Sequence, residues 1–376
     1  MKRTSVFGSL NHKFACKIIV CVPLVFLVSL FATTNAAAQG SIPWALSGTT
    51  EDLGRVTLHG LTVADDYDIR TPDYLNLVLP ALNDLRVTPS VRLVFTLEVD
   101  SGGQGATGSS YYSAVEQMKA SSNIHTGKHP VVMGQPVDSS YMICFTREQH
   151  SARWKDFVSH LGGLVDFWEV GNEINGNWTY NTGPDEAGDS LSCPDGWPGG
   201  VPSTSITDVA QKMSDAYDIV KSAGKSAALT LTFCPTDLPA SADPFTWVDT
   251  YVSERMKQGM DYVLISYYPD ATGCGYGLPQ PSDWVNWFRG IQQRFPTAKV
   301  GMGEWGYTSP MSVKDLKTTL REGYTINPSA ALKNPSAWIG GVFYWEFGLT
   351  AVPERGTSES GSPSDWHDVN EDLQLQ

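Results

Sequence analysis

The stretch WEVGNEING, residues 168–176, decides how the chain is read. Leu164, Val165, Phe167, Trp168 and Val170 form an apolar run with the character of a buried strand, and that run finishes on Asn172 and Glu173. A carboxylate is costly to take out of water, so its place at the end of a buried strand asks for a reason. A second run, KVGMGEWGY at residues 299–307, also leads to a carboxylate, Glu304. Two strands finishing in this way point to strand ends that line one open cleft.

Working outward, eight apolar, β-branched runs recur, at residues 56–63, 91–97, 131–134, 165–170, 227–233, 262–267, 300–303 and 339–345. Segments with helical spacing lie between them, such as Ile206, Val209, Met213, Ala216/Tyr217 and Val220, opened by Ser205 and closed by Gly224. Others cover 111–121, 147–161, 245–257, 282–294 and 313–324. Successive runs start about 34 to 40 residues apart, which holds a strand, a helix and two loops, except for a gap of about 62 after the fourth. Fully apolar strands alternating with helices favour a parallel sheet covered on both sides, and eight such units favour a single-domain α/β fold, a closed (β/α)8 TIM barrel. The competing open doubly wound sheet would carry a Gly-rich phosphate turn after its first strand, and HGLTVADD has none.

Residues 1–38 read as a secretory signal peptide. Lys2, Arg3, Lys13 and Lys17 precede an apolar run from Ile18 to Ala32, and small residues follow in TTNAAAQ, with cleavage expected after Ala38. The run is about 15 residues, short of the ~20 that a spanning helix needs, and a retained anchor is the competing reading. The barrel domain then covers 39–376, secreted or periplasmic, with no membrane partner after cleavage. Losing four basic and no acidic residues takes the formal net charge from −14 to −18. Nucleic acid is excluded as a partner on this charge, because phosphate binding needs a basic surface. Cys144, Cys193, Cys234 and Cys274 remain, an even number that favours two disulfides in an exported chain. Cys144 has the weakest case for pairing, whereas Cys193, Cys234 and Cys274 all fall in loops at one end of the barrel.

Parallel barrels place working residues at the C-terminal ends of their strands. Glu173 ends the fourth run and Glu304 the seventh, so in a closed barrel the two face each other across the mouth. A pair of carboxyl groups across a cleft is what cleavage of a glycosidic bond requires, one protonated and one ionised. GNE at 171–173 and GEWG at 303–306 resemble the fourth-strand and seventh-strand signatures of the glycoside hydrolases of clan A, a group of (β/α)8 retaining enzymes. The resemblance implies Glu173 as general acid/base, Glu304 as nucleophile, and Asn172 as the residue holding the substrate 2-hydroxyl. It implies that a Tyr ending strand six bonds the nucleophile. In SYYPD, Tyr268 takes that position with Ser266 where the family often has His, and Tyr267 is the alternative. Trp345 matches the aromatic platform under the sugar. Arg92 resembles an Arg lying against the nucleophile, with a structural salt bridge at the strand base as the other reading. Glu169, on the same side of its strand as Glu173, is expected deeper in the barrel in a structural pair.

The segment 174–204 is too long for an idle connection and carries Trp178, Tyr180 and Trp197, so it reads as a wall of the substrate cleft. No metal or organic cofactor is implied, and no Ser or Cys nucleophile elbow is present. The expected function is therefore a monomeric, secreted, retaining glycosidase acting on a carbohydrate polymer or oligosaccharide, β-linked and cut internally, with the two carboxyl groups about 5 to 5.5 Å apart. The alternative is a carbohydrate-binding protein on the same scaffold without turnover.

Overall fold

The computed structural model describes residues 57–63, 69–95, 105–180, 193, 204–233, 242–271, 278–307, 313–345 and 347. The signal peptide expected at 1–38, the further strand-end carboxylates Glu98, Asp100 and Glu346, Trp197, Cys234, Cys274, residues 348–376 and most of the 174–204 segment lie outside these residues.

Eight parallel strands close into a barrel in chain order. They are β1 (Leu58–Val63), β2 (Ser90–Val94), β3 (Val131–Gln135), β4 (Phe167–Gly171), β5 (Ser226–Thr232), β6 (Tyr262–Tyr267), β7 (Lys299–Trp305) and β8 (Gly340–Tyr344). The helices between them are α1 (Pro72–Asn83), α2 (Gly108–Ala120), α3 (Arg147–Leu161), α4 (Ile206–Ser222), α5 (Pro244–Tyr251), α6 (Glu254–Gly259), α7 (Pro281–Arg294) and α8 (Val313–Tyr324). The TIM barrel expected from the sequence is thus the fold observed. Among the described residues no helix is long and apolar enough to cross a membrane.

Local chemistry explains most element ends. Thr107, Thr146 and Ser205 cap α2, α3 and α4, each hydroxyl accepting from the backbone N–H three residues on. Two details differ from the sequence reading. Helix α1 carries a helical stripe of Tyr74, Leu75, Val78, Ala81 and Leu82, all buried, yet Pro72 and Pro80 disguise it. Pro72 sits in the first turn, where its missing N–H costs nothing, and Pro80 lies within the helix. The segment 245–257 is two helices, because Ser253 accepts from the Met256 N–H and starts a new cap where α5 has already ended.

The barrel interior is layered. Leu58, Met133, Phe167, Ala228, Leu264, Ile339 and Phe343 form a small apolar cluster of their own, distinct from the larger core between strands and helices. Each large member of this plug contributes on the order of 1.5–3 kcal/mol by leaving water. Two residues further along the strands, the same inward faces carry Gln135, Glu169, Thr230 and Ser266. The apolar plug seals the base, so polar groups above it can open only toward the C-terminal mouth. Gly341 is required in β8: its φ is +89°, and a Cβ there would lie 2.2 Å from the Met302 carbonyl oxygen.

Candidate active site

Glu169, on β4, and Arg92, on β2, are fully buried and joined by Nε to Oε2 at 2.8 Å. Glu169 also accepts from the Thr230 hydroxyl. Arg92 Nη1 lies 2.7 Å from Glu304 Oε2. Arg92 therefore serves both readings at once, reaching the structural partner below it and the strand-seven carboxylate above it. Burial works against the Arg92 charge, and the Glu169 and Glu304 carboxylates outweigh it, so the guanidinium is held more firmly protonated than usual.

Glu304 is 4 % exposed. Besides Arg92 it accepts from the Tyr268 hydroxyl on Oε1 and from Asn172 Nδ2 on Oε2 at 3.2 Å. Burial raises its carboxyl above the usual range, and the adjacent Arg92 charge works in the opposite direction. A register shift in the β6–β7 pairing, between Ile265 and Ser266, puts Glu304 opposite Ser266. Ser266 in turn donates to Glu173 Oε1 at 2.5 Å. One serine thus touches one carboxylate with its side chain and pairs in register with the other.

Glu173 has φ +41°, a left-handed conformation rare for a side chain of this kind and worth about 1–3 kcal/mol of strain. The turn beyond it holds that strain: Gly176 N–H donates to the Glu173 carbonyl at 2.7 Å. Asn175 is fully buried and clamps the same turn to the Thr232 and Ala242 backbone. Burial first, then the charge of Glu304, pushes the Glu173 carboxyl up to about 8.

Trp345 lies at the same mouth, with the Arg92 guanidinium 5.5 Å from its ring centroid. Trp178, half-buried, donates from its indole N–H to the Ser139 hydroxyl at 3.2 Å. Tyr267, the alternative to Tyr268, points the other way. It is buried among Trp284, Trp287 and Trp305 on the outer face of the sheet, because neighbouring residues of a strand face opposite sides. The structure thus brings together Arg92, Asn172, Glu173, Tyr268, Glu304 and Trp345, places Trp178 against Ser139 beside Glu173, and leaves Tyr267 outside.

Three participants went unseen in the sequence. Ser139 and Asp138 follow β3, in and at the start of a 3₁₀ turn, Ser139–Cys144. The Ser139 N–H donates to Asn172 Oδ1 at 3.1 Å, and its hydroxyl lies 3.4 Å from Glu173 Oε2. Gln135, fully buried at the end of β3, donates to Asp138 Oδ2 at 3.0 Å. The one available signal was position, the C-terminal end of a strand. Cys144 ends the 3₁₀ turn and is bonded to Cys193, with Cα atoms 5.5 Å apart. This corrects the expectation that Cys144 is the weakest candidate: the turn carries it to the mouth, where the loop after β4 returns. Among the described residues no group of His, Cys, Asp and Glu could hold a metal ion.

Fold and site together define a (β/α)8 barrel with a carboxylate pair at its C-terminal mouth. No protein-family model matches the chain, and no curated protein does. Among solved structures it is similar to a GH5-4 broad specificity endoglucanase from an uncultured bacterium, at 11% identity and a TM-score of 0.50, covering 85% of this chain and 94% of that one. A β-glycosidase, BGL167, aligns at 15% identity and a TM-score of 0.49 over 82% and 85% of the two chains. The hyperthermophilic β-glucosidase of Pyrococcus furiosus aligns at 13% and 0.48, over 80% and 83%. At such identities the first of these likenesses establishes the barrel fold, and the chemistry has to be argued from the site itself.

Proposed function

We propose that the protein is a retaining glycoside hydrolase with Glu173 as acid/base and Glu304 as nucleophile. The observation that carries this reading is the contrast between two carboxyl groups sharing one mouth. Glu304 lies against a guanidinium and accepts from Tyr268 and Asn172, which favours its ionised form. Among the described residues Glu173 has two hydroxyl neighbours and no cation in contact, and it is pushed up to about 8 by burial and by Glu304. In such a pair the proton goes to Glu173 in preference to Glu304, which is the division of labour that glycoside cleavage needs.

In the first step Glu304 attacks the anomeric carbon while Glu173 gives its proton to the departing oxygen. In the second, Glu173 takes a proton from water, the water oxygen bonds to the anomeric carbon, and the Glu304 carboxylate leaves. Asn172 is suited to the substrate 2-hydroxyl, and Trp345 to stacking under the ring in the same subsite. Tyr268 and Arg92 keep the nucleophile oriented and charged. Trp178 is suited to stacking with the sugar on the leaving-group side. The resemblance of GNE and GEWG to the clan A signatures supports β-linked substrates, and the aromatic segment 174–204 supports a polymer cut internally. The signal-like N-terminus and the Cys144–Cys193 disulfide support secretion.

Glu304→Ala tests the reading. Turnover of dinitrophenyl β-glycosides should fall by at least about a thousandfold, with azide restoring part of it and giving a glycosyl azide of inverted configuration. Unchanged turnover in that variant would remove the nucleophile, and glycan binding without any release of reducing ends by the wild type would favour a binding protein instead.

A further inference from the structure

We propose that Ser139 and Trp178 are positioning residues for Glu173: the indole N–H fixes the Ser139 hydroxyl so that its single proton points at Glu173 Oε2. The proposal rests on the acid/base role of Glu173 and adds a device that sets how that carboxyl is held.

Donor counts set the direction of each bond. An indole N–H can only donate, so at 3.2 Å the Ser139 oxygen must be the acceptor. A serine hydroxyl has one proton, and with its acceptor side engaged by Trp178 that proton is directed to Glu173 Oε2 at 3.4 Å. Ser266 occupies the other oxygen, Oε1, at 2.5 Å. Ser139 is 3 % exposed, so its hydroxyl does not exchange these partners for bulk water. Both serines therefore favour the ionised carboxylate, against the burial that favours the acid.

Trp178 is itself fixed from behind. Its ring packs so closely on Gly176 that a Cβ there would lie 2.5 Å from Cε2, and Thr179 donates to the Gly176 carbonyl from both its N–H and its hydroxyl, at 3.2 and 2.7 Å. The turn that strains Glu173 into its left-handed conformation is thus the same turn that brings Trp178 back onto Ser139. Ser139 has a second duty through its backbone. Its N–H fixes Asn172 Oδ1, which leaves the Asn172 amide N–H₂ to face Glu304. One residue after β3 therefore orients the amide beside one carboxylate and holds the other directly.

The charged and titratable groups around Glu173 come from several elements: Glu304 on β7, Arg92 on β2, Asp138 before the 3₁₀ turn, and Tyr268 at the end of β6. None of them changes when the Ser139 hydroxyl or the Trp178 N–H is removed, so a shift in Glu173 titration isolates the relay. A plain stacking platform at Trp178 predicts something else. Trp178→Phe keeps an aromatic face and would leave the titration where it was.

The test is an NMR titration of full-length protein labelled at the glutamate Cδ, with the Glu173 signal assigned by its loss in Glu173→Gln. Removing a donor from the ionised form raises the midpoint. Ser139→Ala should move it upward by roughly half to one pH unit, Trp178→Phe by less in the same direction, and Ser139→Thr, which keeps a hydroxyl, should restore it. Midpoints in Ser139→Ala and Trp178→Phe that match the wild type would overturn the proposal. Trp178→Phe carries the test alone if Ser139→Ala does not fold. The titration needs no substrate, so its outcome stands apart from the glycosidase reading, which fails separately if Glu173→Gln hydrolyses dinitrophenyl and alkyl β-glycosides at wild-type rates.

Discussion

At the residue scale the account turns on how two identical side chains come to differ. Glu304 has Arg92 and Tyr268 against it, whereas Glu173 is met by the hydroxyls of Ser139 and Ser266. The pH dependence of kcat/KM should therefore be bell-shaped, with activity falling as pH rises through about 8 and Glu173 loses its proton. Stability should follow the same group with a definite sign. The Glu173 carboxyl titrates near 4.5 when the chain is unfolded and near 8 when folded, so the unfolded state loses the proton first and stability declines as pH rises through that window. Glu173→Gln should then raise Tm, by a margin that grows between pH 5 and pH 8; a constant offset would argue against the raised carboxyl. Arg92→Leu should cost about 3–5 kcal/mol in urea unfolding, because Glu169 and Glu304 would be left buried without their cation. Glu173, Glu304 and Asn172 were legible because each lies in a short motif at the end of an apolar run. Tyr268 was placed by the resemblance with Tyr267 left open, and the structure decides between them by alternation: Ser266 and Tyr268 share the inward face, and Tyr267 points out. Ser139 was not, since a serine two residues beyond a proline and a valine after a strand has no pattern that distinguishes it from any loop serine.

At the element scale the 3₁₀ turn Ser139–Cys144 is where stability and site meet. It presents Ser139 to Glu173, and its last residue is tied to the loop beyond β4 by the disulfide. Lys212 on α4, buried, donates to the Met142 carbonyl at 2.9 Å and holds the same turn from outside. The disulfide closes a sequence separation of 49 residues, so its removal by Cys144→Ser should lower the unfolding free energy by about 2–4 kcal/mol. Chemical denaturation of the oxidised protein and the variant measures this, and equal midpoints would mean that the crosslink does not restrain the chain. Strands were read closely from sequence because burial on both faces leaves them mostly apolar, with Arg92 in β2 and Glu169 in β4 as inward-facing exceptions. Helix α1 was hidden by its two prolines, and the break between α5 and α6 by a serine cap in a segment with no glycine or proline to announce a stop. Disulfide partners were not legible, since spacing alone leaves every connectivity open.

At the scale of the whole molecule, the closed barrel follows from the count and spacing of the runs, and it converts distance in sequence into proximity. Glu173 follows strand four and Glu304 lies on strand seven, and only closure brings both to one mouth. The chain carries a formal net charge of −14, and the mouth holds Glu304 and Asp138 with Arg92 already engaged. Neutral β-glucans, xylans or mannans should accordingly be cut ahead of polyuronates, and any polyuronate cleavage should speed up as salt screens the repulsion. A panel of polysaccharides assayed for reducing ends at low and high ionic strength checks this; a preference for polyuronates at low salt would run against it.

The central claim is that Glu304 forms a bond to the sugar while Glu173 stands across from it. Trapping the wild-type protein with activated fluoro-sugar β-glycosides, followed by peptide mass mapping, tests this most directly. One fluoroglycosyl residue should appear on the peptide bearing Glu304 and vanish in Glu304→Ala. A label on any other side chain, or none with a sugar whose unfluorinated glycoside is hydrolysed, would contradict it.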